Sequence, residues 1–560
     1  MKKQYLLLIS SLVLTLSSCE RNNSVKPIDA TKTQLYVGIY EGGLESGGIY
    51  KIAQEFEKKY ENVSIEDGKR GVEVFFTEGR YSDPMKDSML DAAEEVYFDT
   101  AASTLYLHDN NKIVDISDLY STPMNYDFVT KQTDPNGDSR TFYDIVRADR
   151  RDLYKAKDGK FYGYPGTSQF FGLVYDIDLF DEKNLYFNAT GDFVKSKTDA
   201  KSAGPDGKIE TEYDNGLPST FDEFFKLCDK IVSLGMTPVM WGGTVQEYVN
   251  SLLSAIAADV DGKEQTELNY NYSGTATSLI DSISGDEITY KPETAITAKN
   301  GYELYRQEGR YYALKFLERL ISNKNYYNYA DATSPAFSNL DAQSQYLYSK
   351  ESKTRKRTAM LVEGSWWNKE AAGTFMSMAA EFGEKDSQAN RKLGLLPLPK
   401  ATKEKVGEPF TVLERAVGDG FISASINPKK LDLAKSFVQF MFQNQSCKTY
   451  LEYDAQTRAV DFTITDDEYN ALVPWAQTMY DLKKNAVIAT MYSNSDIMRI
   501  YSSELWYSPN LWNSIVDGET HKYPTTAMIN NKISGNAYFE GLSKYMNKAV
   551  WDSKFSSVIN

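Results

Sequence analysis

The stretch RTAMLVEGSWW, Arg357–Trp367, decides how the rest of the chain is read. A small-to-apolar run, Thr358–Val362, reads as a buried strand that stops at Glu363-Gly364-Ser365 before two adjacent tryptophans. Gly364 permits a tight turn or a close backbone approach, and Ser365 is suited to cap a helix. A strand that runs into a helix start leaves free N–H donors at the carboxyl edge of a sheet, where α/β folds place ligands. Two aromatic faces beside such donors suit a sugar, whose C–H faces stack on rings while its hydroxyls meet polar groups. The competing reading puts both tryptophans in the core, where that residue is usually found.

Outward from this stretch, strands and helices alternate. Gln34–Tyr40 is strand-like and the spacing of Ile49, Ile52, Phe56 and Tyr60 predicts a helix over 49–60. Val72–Phe76 and Glu95–Phe98 are further strands, with a helix over Met85–Ala93 between them. Phe161–Pro165 and Phe170–Tyr175 are strand-like, Thr237–Trp241 is a short strand, and Glu247–Ala258 a helix. Thr220–Leu234 is a helix capped by Ser219 or Thr220 with Glu223 and ended by Gly235. Gly262–Asn300 reads as irregular, Tyr302–Ser322 as a helix, Leu393–Leu398 and Gly420–Ala424 as strands, and Asp432–Gln443 as an amphipathic helix. The C-terminal third reads as helical throughout. This alternation argues for a parallel sheet with helices on both faces.

The N-terminus is an address. Lys2 and Lys3 precede the apolar run Tyr5–Leu16, which is too short to span a membrane, and Leu16-Ser17-Ser18-Cys19 follows. This resembles the bacterial lipobox, in which the cysteine is acylated and becomes the mature N-terminus. Residues 1–18 are then a lipoprotein signal peptide and 19–33 the acylated Cys19 with a flexible tether. Two or more acyl chains would hold the protein stably on a membrane. Cys228 and Cys447 are the other cysteines and read as free and buried. With 78 acidic against 62 basic residues the net charge is −16, which argues against nucleic acid or anionic lipid as partners. Forty tyrosines and 13% aromatic residues point towards carbohydrate.

Polar and aromatic residues recur just after the strands: Glu41, Glu78–Arg80, Asp99–Thr100, Trp241–Thr244, Glu363–Trp367 and Arg415–Gly420. Together with LYVGIYEGG and its FEKKY helix, EVYFDTA, GKFYGYPGTSQFFGLVYD, TAMLVEGSWW and GDGFISASINPKKLDLAKSFVQFM, they occur in an order that resembles the extracellular solute-binding proteins of bacterial carbohydrate ABC transporters (family 1, maltose-binding-protein-like). The resemblance covers most of the chain beyond the signal. It implies an α/β, two-lobed periplasmic-binding-protein-like fold, each lobe a mostly parallel sheet with flanking helices and the ligand cleft between them. Lobe 1 would comprise residues 34–166 plus 415–468, and lobe 2 residues 167–414 plus 469–560.

By position, the resemblance implies a ligand set of Tyr40, Glu41, Glu78, Arg80, Asp99, Thr100, Trp241, Tyr248, Glu363, Trp366, Asp419 and Trp506. Trp366 would be the stacking platform, Trp367 packing, and Asp99 an acceptor of sugar hydroxyls where the family often carries an aromatic. The function implied is a non-catalytic receptor of an ABC importer that captures an oligosaccharide by lobe closure and hands it to permease subunits. It would act as a monomer, lipid-anchored on the outer face of the cytoplasmic membrane, without a cofactor. The rival readings are a surface glycoside hydrolase and a receptor for a non-sugar solute. His108 and His521 are the only histidines, and no zinc-binding or Gly-x-Ser-x-Gly motif occurs, but a glycosidase needs only two carboxylates. One loop, with Asp199, Asp206, Glu210 and Asp214, offers oxygen ligands for calcium without the regular spacing, and reads more readily as a solvated acidic turn.

Overall fold

The computed structural model describes residues 27–40, 47–79, 94–100, 104–211, 213–285, 287–415, 419–491, 493, 495–500 and 509–559. The signal peptide, Cys19, Glu41, Arg80, the helix expected over 85–93 and Trp506 lie outside these residues. Strand β1 (Thr33–Tyr40) pairs parallel with β2 (Val72–Gly79) on one side and β3 (Val96–Thr100) on the other. Helix α1 (Gly47–Lys59) connects β1 to β2 and buries Ile49, Ile52, Ala53 and Phe56, a single stripe at helical spacing. Lys58 and Lys59 in its last turn complement the helix dipole.

A second sheet forms around β4 (Thr167–Asp176), every residue of which is buried, as a run apolar on both faces requires. Strand β5 (Thr237–Met240) is parallel to β6 (Thr358–Gly364), and β6 is antiparallel to β4. Strands β7 (Leu393–Leu396) and β8 (Thr411–Arg415) also run antiparallel to β4. The chain then returns to the first sheet as β9 (Asp419–Ile422), antiparallel to β3. Strand β10 (Thr457–Arg458) pairs with the first residues of β4, and β11 (Val487–Thr490) lies parallel to β8. The second sheet is thus mixed, with β4 opposed to the strands it pairs with, rather than mostly parallel.

Helices cover the second sheet: α2 (Phe221–Ser233), α3 (Glu247–Asn271), α4 (Glu308–Ser322) and α5 (Asn339–Tyr348). The α2 cap is as read, with Thr220 Oγ1 accepting from the Glu223 N–H and Glu223 accepting from the Ser219 N–H. Helices α6 (Leu431–Met441) and α7 (Asn444–Asp454) lie against α1 beside the first sheet. Three local expectations are corrected. The helix expected over Glu247–Ala258 runs on to Asn271 through a kink at Gly262 (φ 73°, ψ 172°), and the stretch expected to be irregular forms short antiparallel pairs over 274–296. The C-terminal third contributes β11, whose Val487–Thr490 reads equally well as helix because it is only four residues long. Ser365 caps nothing. Its N–H donates to Phe170 O and its hydroxyl accepts from Phe170 N–H at 3.1 Å, so it prolongs the β6–β4 ladder.

The chain passes between sheets at three adjacent places. Tyr164 bridges Gly420 in the first sheet while Thr167 opens β4 in the second. Arg415 ends β8 and Asp419 starts β9. Val460 bridges Val146, just beyond β10. Cys228 and Cys447 are free and buried. No helix among the described residues is long and apolar enough to cross a membrane. Trp367 closes this core: it is fully buried against Tyr346, Phe375 and Trp475. Trp367→Ala should therefore cost about 3–5 kcal/mol, seen as a lower urea midpoint by far-ultraviolet circular dichroism.

Candidate functional site

Both sheets turn their carboxyl edges towards the crossings. At the first sheet, register sets Tyr40 opposite Gly79 and Asp419 opposite Thr100, so the ends of β1, β2 and β3 and the start of β9 form one edge. The expected residues Tyr40, Glu78, Asp99, Thr100 and Asp419 are brought together on it. Glu78 is exposed and accepts a 2.5 Å hydrogen bond from the Tyr50 hydroxyl on α1. Asp419 is half-buried and accepts from the Tyr154 hydroxyl at 2.6 Å. The second sheet's edge carries Met240, Gly364, Arg415 and Thr490 at its strand ends.

The tryptophans of that edge are not open platforms. Trp241 is fully buried, stacked on Tyr327 with ring centroids 5.0 Å apart and its indole N–H given to Ala332 O. This removes it from the ligand set, because neither face of the ring is offered. Trp366 is 3% exposed, edge-on to Phe171 and Tyr248, with the Arg415 guanidinium 5.3 Å from its ring centre. The close approach read from Gly364 is real: a Cβ there would sit 2.1 Å from the Trp366 ring. In this conformation Trp366 thus backs the edge instead of facing a ligand. Tyr248 is buried too, and its hydroxyl receives the Asn339 side-chain amide at 3.4 Å.

Glu363 lies beneath these rings, 2% exposed. Gln343 Nε2 donates to Glu363 at 3.0 Å and to Glu370 at 2.8 Å, so one amide bridges two carboxyls. Burial, and then the charge of Glu370, push the Glu363 carboxyl well above the usual carboxylate range. Glu363 is thus tied through Gln343 to the half-buried Glu370.

Two features absent from the sequence reading join the edges. Lys369, on the four-residue helix Trp367–Glu370 that follows β6, donates to Tyr453 O at 2.7 Å and lies 3.4 Å from Asp454 on α7. Asp454 is fully buried and also accepts from the Gly48 N–H, at the start of α1, at 2.9 Å. Burial pushes its carboxyl up to about 7, against the pull of Lys369. The second feature sits at the crossings. Glu414 on β8 accepts from Arg147 at 2.6 Å and from the Ser168 hydroxyl at 2.6 Å. Arg150, fully buried, lies 3.9 Å from Glu414 and 3.7 Å from Asp419. No motif marks these residues, since each partner is distant in the chain. Only Asp419 had been placed near the site.

The acidic loop does not gather as a calcium site. Asp199 accepts the N–H groups of Lys195 and Ser196, and Glu210 is exposed. Asp206 accepts from Lys208 N–H and Thr211 Oγ1, and Asp214 from Asp206 N–H. Turn hydrogen bonds therefore occupy its oxygens, and no group of three metal-ligating side chains occurs among the described residues.

No protein-family model matches the chain, and no curated protein matches it by sequence. Solved structures do match by fold. Apo RafE from Streptococcus pneumoniae aligns over 94% of this chain and 100% of its own at 14% identity and TM-score 0.52. A chitin oligosaccharide binding protein aligns over 93% and 99% at 13% identity and TM-score 0.52. The GacH receptor of Streptomyces glaucescens, solved with and without acarbose, aligns over 93% and 99% at 12% identity and TM-score 0.51. These similarities define the class of fold: two α/β lobes joined by crossing strands, the architecture of solute-binding receptors.

The buried Glu363 makes a stability prediction. Its raised carboxyl is protonated in the fold at pH values where the unfolded chain has ionised it, so its contribution is full below the ordinary carboxylate range and is lost as pH rises through the raised value. Glu363→Gln, which mimics the protonated form, should flatten this loss. Urea midpoints measured across a pH series would show it, and an unchanged slope would remove the assignment.

Proposed function

We propose that the chain is the carbohydrate-capturing receptor of an ABC importer, closing its two lobes on an oligosaccharide and presenting the closed form to a membrane permease. The observation that carries this reading is the fold over more than nine-tenths of the chain, shared with receptors whose structures are described with raffinose, chitin oligosaccharide and acarbose. Lobe 1 is residues 34–166 plus 415–468, and lobe 2 residues 167–414 plus 469–560. Sugar that touches both lobes stabilises the closed form by its differential contacts, and the permease reads that state.

The ligand edge of lobe 1 is formed by Tyr40, Glu41, Glu78, Arg80, Asp99, Thr100 and Asp419. That of lobe 2 is formed by the Gly364–Trp366 segment and Tyr248, with Trp506 from the C-terminal part. Trp366, packed on Phe171 and Tyr248 with Arg415 beside its ring, backs this edge. The protein binds without turnover: Glu363 is sealed under the edge, and Asp419 is tied to Tyr154. Cys19 carries the lipid that holds the receptor, as a monomer, on the outer face of the cytoplasmic membrane.

A glycan panel read by thermal shift tests the whole reading. Ligand that binds only the folded state raises the melting temperature in proportion to ln(1 + [L]/Kd). A rise with one oligosaccharide and no product by chromatography supports a receptor, products would make it a hydrolase, and a flat panel would remove the sugar. The Lys369 contact gives a finer check. It joins the lobes in this structure, so Lys369→Met should weaken the bound sugar about tenfold, chiefly through faster dissociation. Stopped-flow release of the ligand measures it.

A further inference from the structure

A groove of about 720 Å³ runs along the flank of α5 in the second lobe. One wall is the helix, the other is residues 328–331, and the floor includes Thr237 and Thr358. Those two threonines pair with each other at the amino ends of β5 and β6, the opposite end of the strands from the cleft edge. The groove is therefore separate from the site between the lobes. Its walls are held firmly: Asn328 accepts from Trp241 N–H and donates to Trp241 O, and Asp341 closes a capping box with Ser338 at the start of α5.

Three aromatic rings line the groove, Tyr329 exposed and Phe337 and Tyr348 half-buried. Aromatic faces beside amide and carboxylate groups suit sugar rings and their hydroxyls. One end is basic. The loop 352–356 is ordered by Ser352, whose hydroxyl accepts from the Thr354 and Arg355 N–H groups, and Arg355 Nη1 donates to Gln345 Oε1 at 3.0 Å across the groove. The flanking cations are neutralised, Lys350 by Asp386 and Arg357 by Asp176 and Glu182. Lys353, Arg355 and Lys356 are exposed and, among the described residues, make no ion pair. Arg355 and Lys356, two of these, line a polar, aromatic groove in a chain of net charge −16.

We propose that this groove is a second saccharide site, for an oligosaccharide bearing a carboxylate or phosphate. The anionic group sits on Arg355 and Lys356, hydroxyls meet Gln345 and Asp331, and the rings lie on Tyr348 and Phe337. Such a site would let the receptor hold an acidic glycan chain while the cleft works on its own ligand. The proposal leans on the carbohydrate reading only in expecting the protein to meet glycans.

Calorimetry on the full chain tests it, with trigalacturonate as the carboxylate probe, glucose 1-phosphate as the phosphate probe and maltotriose as the neutral control. At least one anionic probe should bind, more weakly at high salt. The double variant R355A/K356A, at exposed positions, should lower that affinity about tenfold or more, and Ser344→Trp, which fills the groove, should abolish it. Any cleft sugar found by the glycan panel should bind both variants unchanged and leave the anionic probe in place. The proposal is overturned if neither probe binds, if the variants bind as the wild type does, or if the cleft sugar displaces the probe. A flat neutral panel would instead strike the cleft reading and leave the groove assay readable.

Discussion

The carboxylate of Glu414 is the point on which the two halves of the molecule depend. It is fully buried, and burial alone would raise its pKa. The charges of Arg147 and Arg150, with the hydrogen bonds from Arg147 and Ser168, overcome that and hold it at about 2. A buried ion pair of this kind contributes little net stability over an apolar replacement, but removal of one partner leaves a charge stranded, which is costly. Its value here is positional. Ser168 lies at the start of β4, Glu414 near the end of β8, and Arg147 also bonds Asp149 and the Thr490 hydroxyl at the end of β11. Four pieces of chain that meet at the crossings are thus fixed by one anion. Arg150 extends the same cluster to Asp419, the first residue back in the other sheet. One guanidinium thus lies between two carboxylates that flank the same crossing segment.

Strand identity was legible wherever local pattern decides the outcome. Thr358–Gly364 and Phe170–Asp176 are apolar on both faces and short, so they could only be interior strands, and both are fully buried. The cap and stop of α2 were readable for the same reason, since Thr220, Glu223 and Gly235 act within a few residues of one another. Where the signal was weak the reading slipped. The polar stretch from Gly262 reads as irregular, yet the helix continues through a kink there because Asp259 and Asp261 on one side are held by Thr411 and Gly309 N–H groups and Thr266 and Leu268 beyond it are buried. Tertiary packing overrode the local preference.

The candidate site was legible as an edge but not as a set of contacts. Strand register sets the ends of β1, β2 and β3 and the start of β9, with Tyr40, Asp99, Thr100 and Asp419, on one edge. Order along the chain could not separate a tryptophan that faces a cleft from one that backs it. Trp241 and Trp366 carry the same composition signal, and the difference lies in Tyr327, Phe171 and Tyr248, which reach them from other elements. The interlobe tie of Lys369 to Tyr453 and Asp454 was invisible for the same reason. Nothing near a lysine in sequence announces a buried aspartate that another helix end delivers.

Burial acts in opposite directions on the acids that frame the cleft. Glu414 has two arginines beside it and stays ionised well into acid; its contribution is present above the ordinary carboxylate range and fades as pH falls towards 2. Burial pushes up Glu363, with the Glu370 charge adding to it, and Asp454, against the pull of Lys369 and Arg458, so their contributions fade as pH rises. The crossings are thereby set by a charge that stays ionised at neutral pH, while the Lys369 tie rests on a carboxyl that burial raises to about 7.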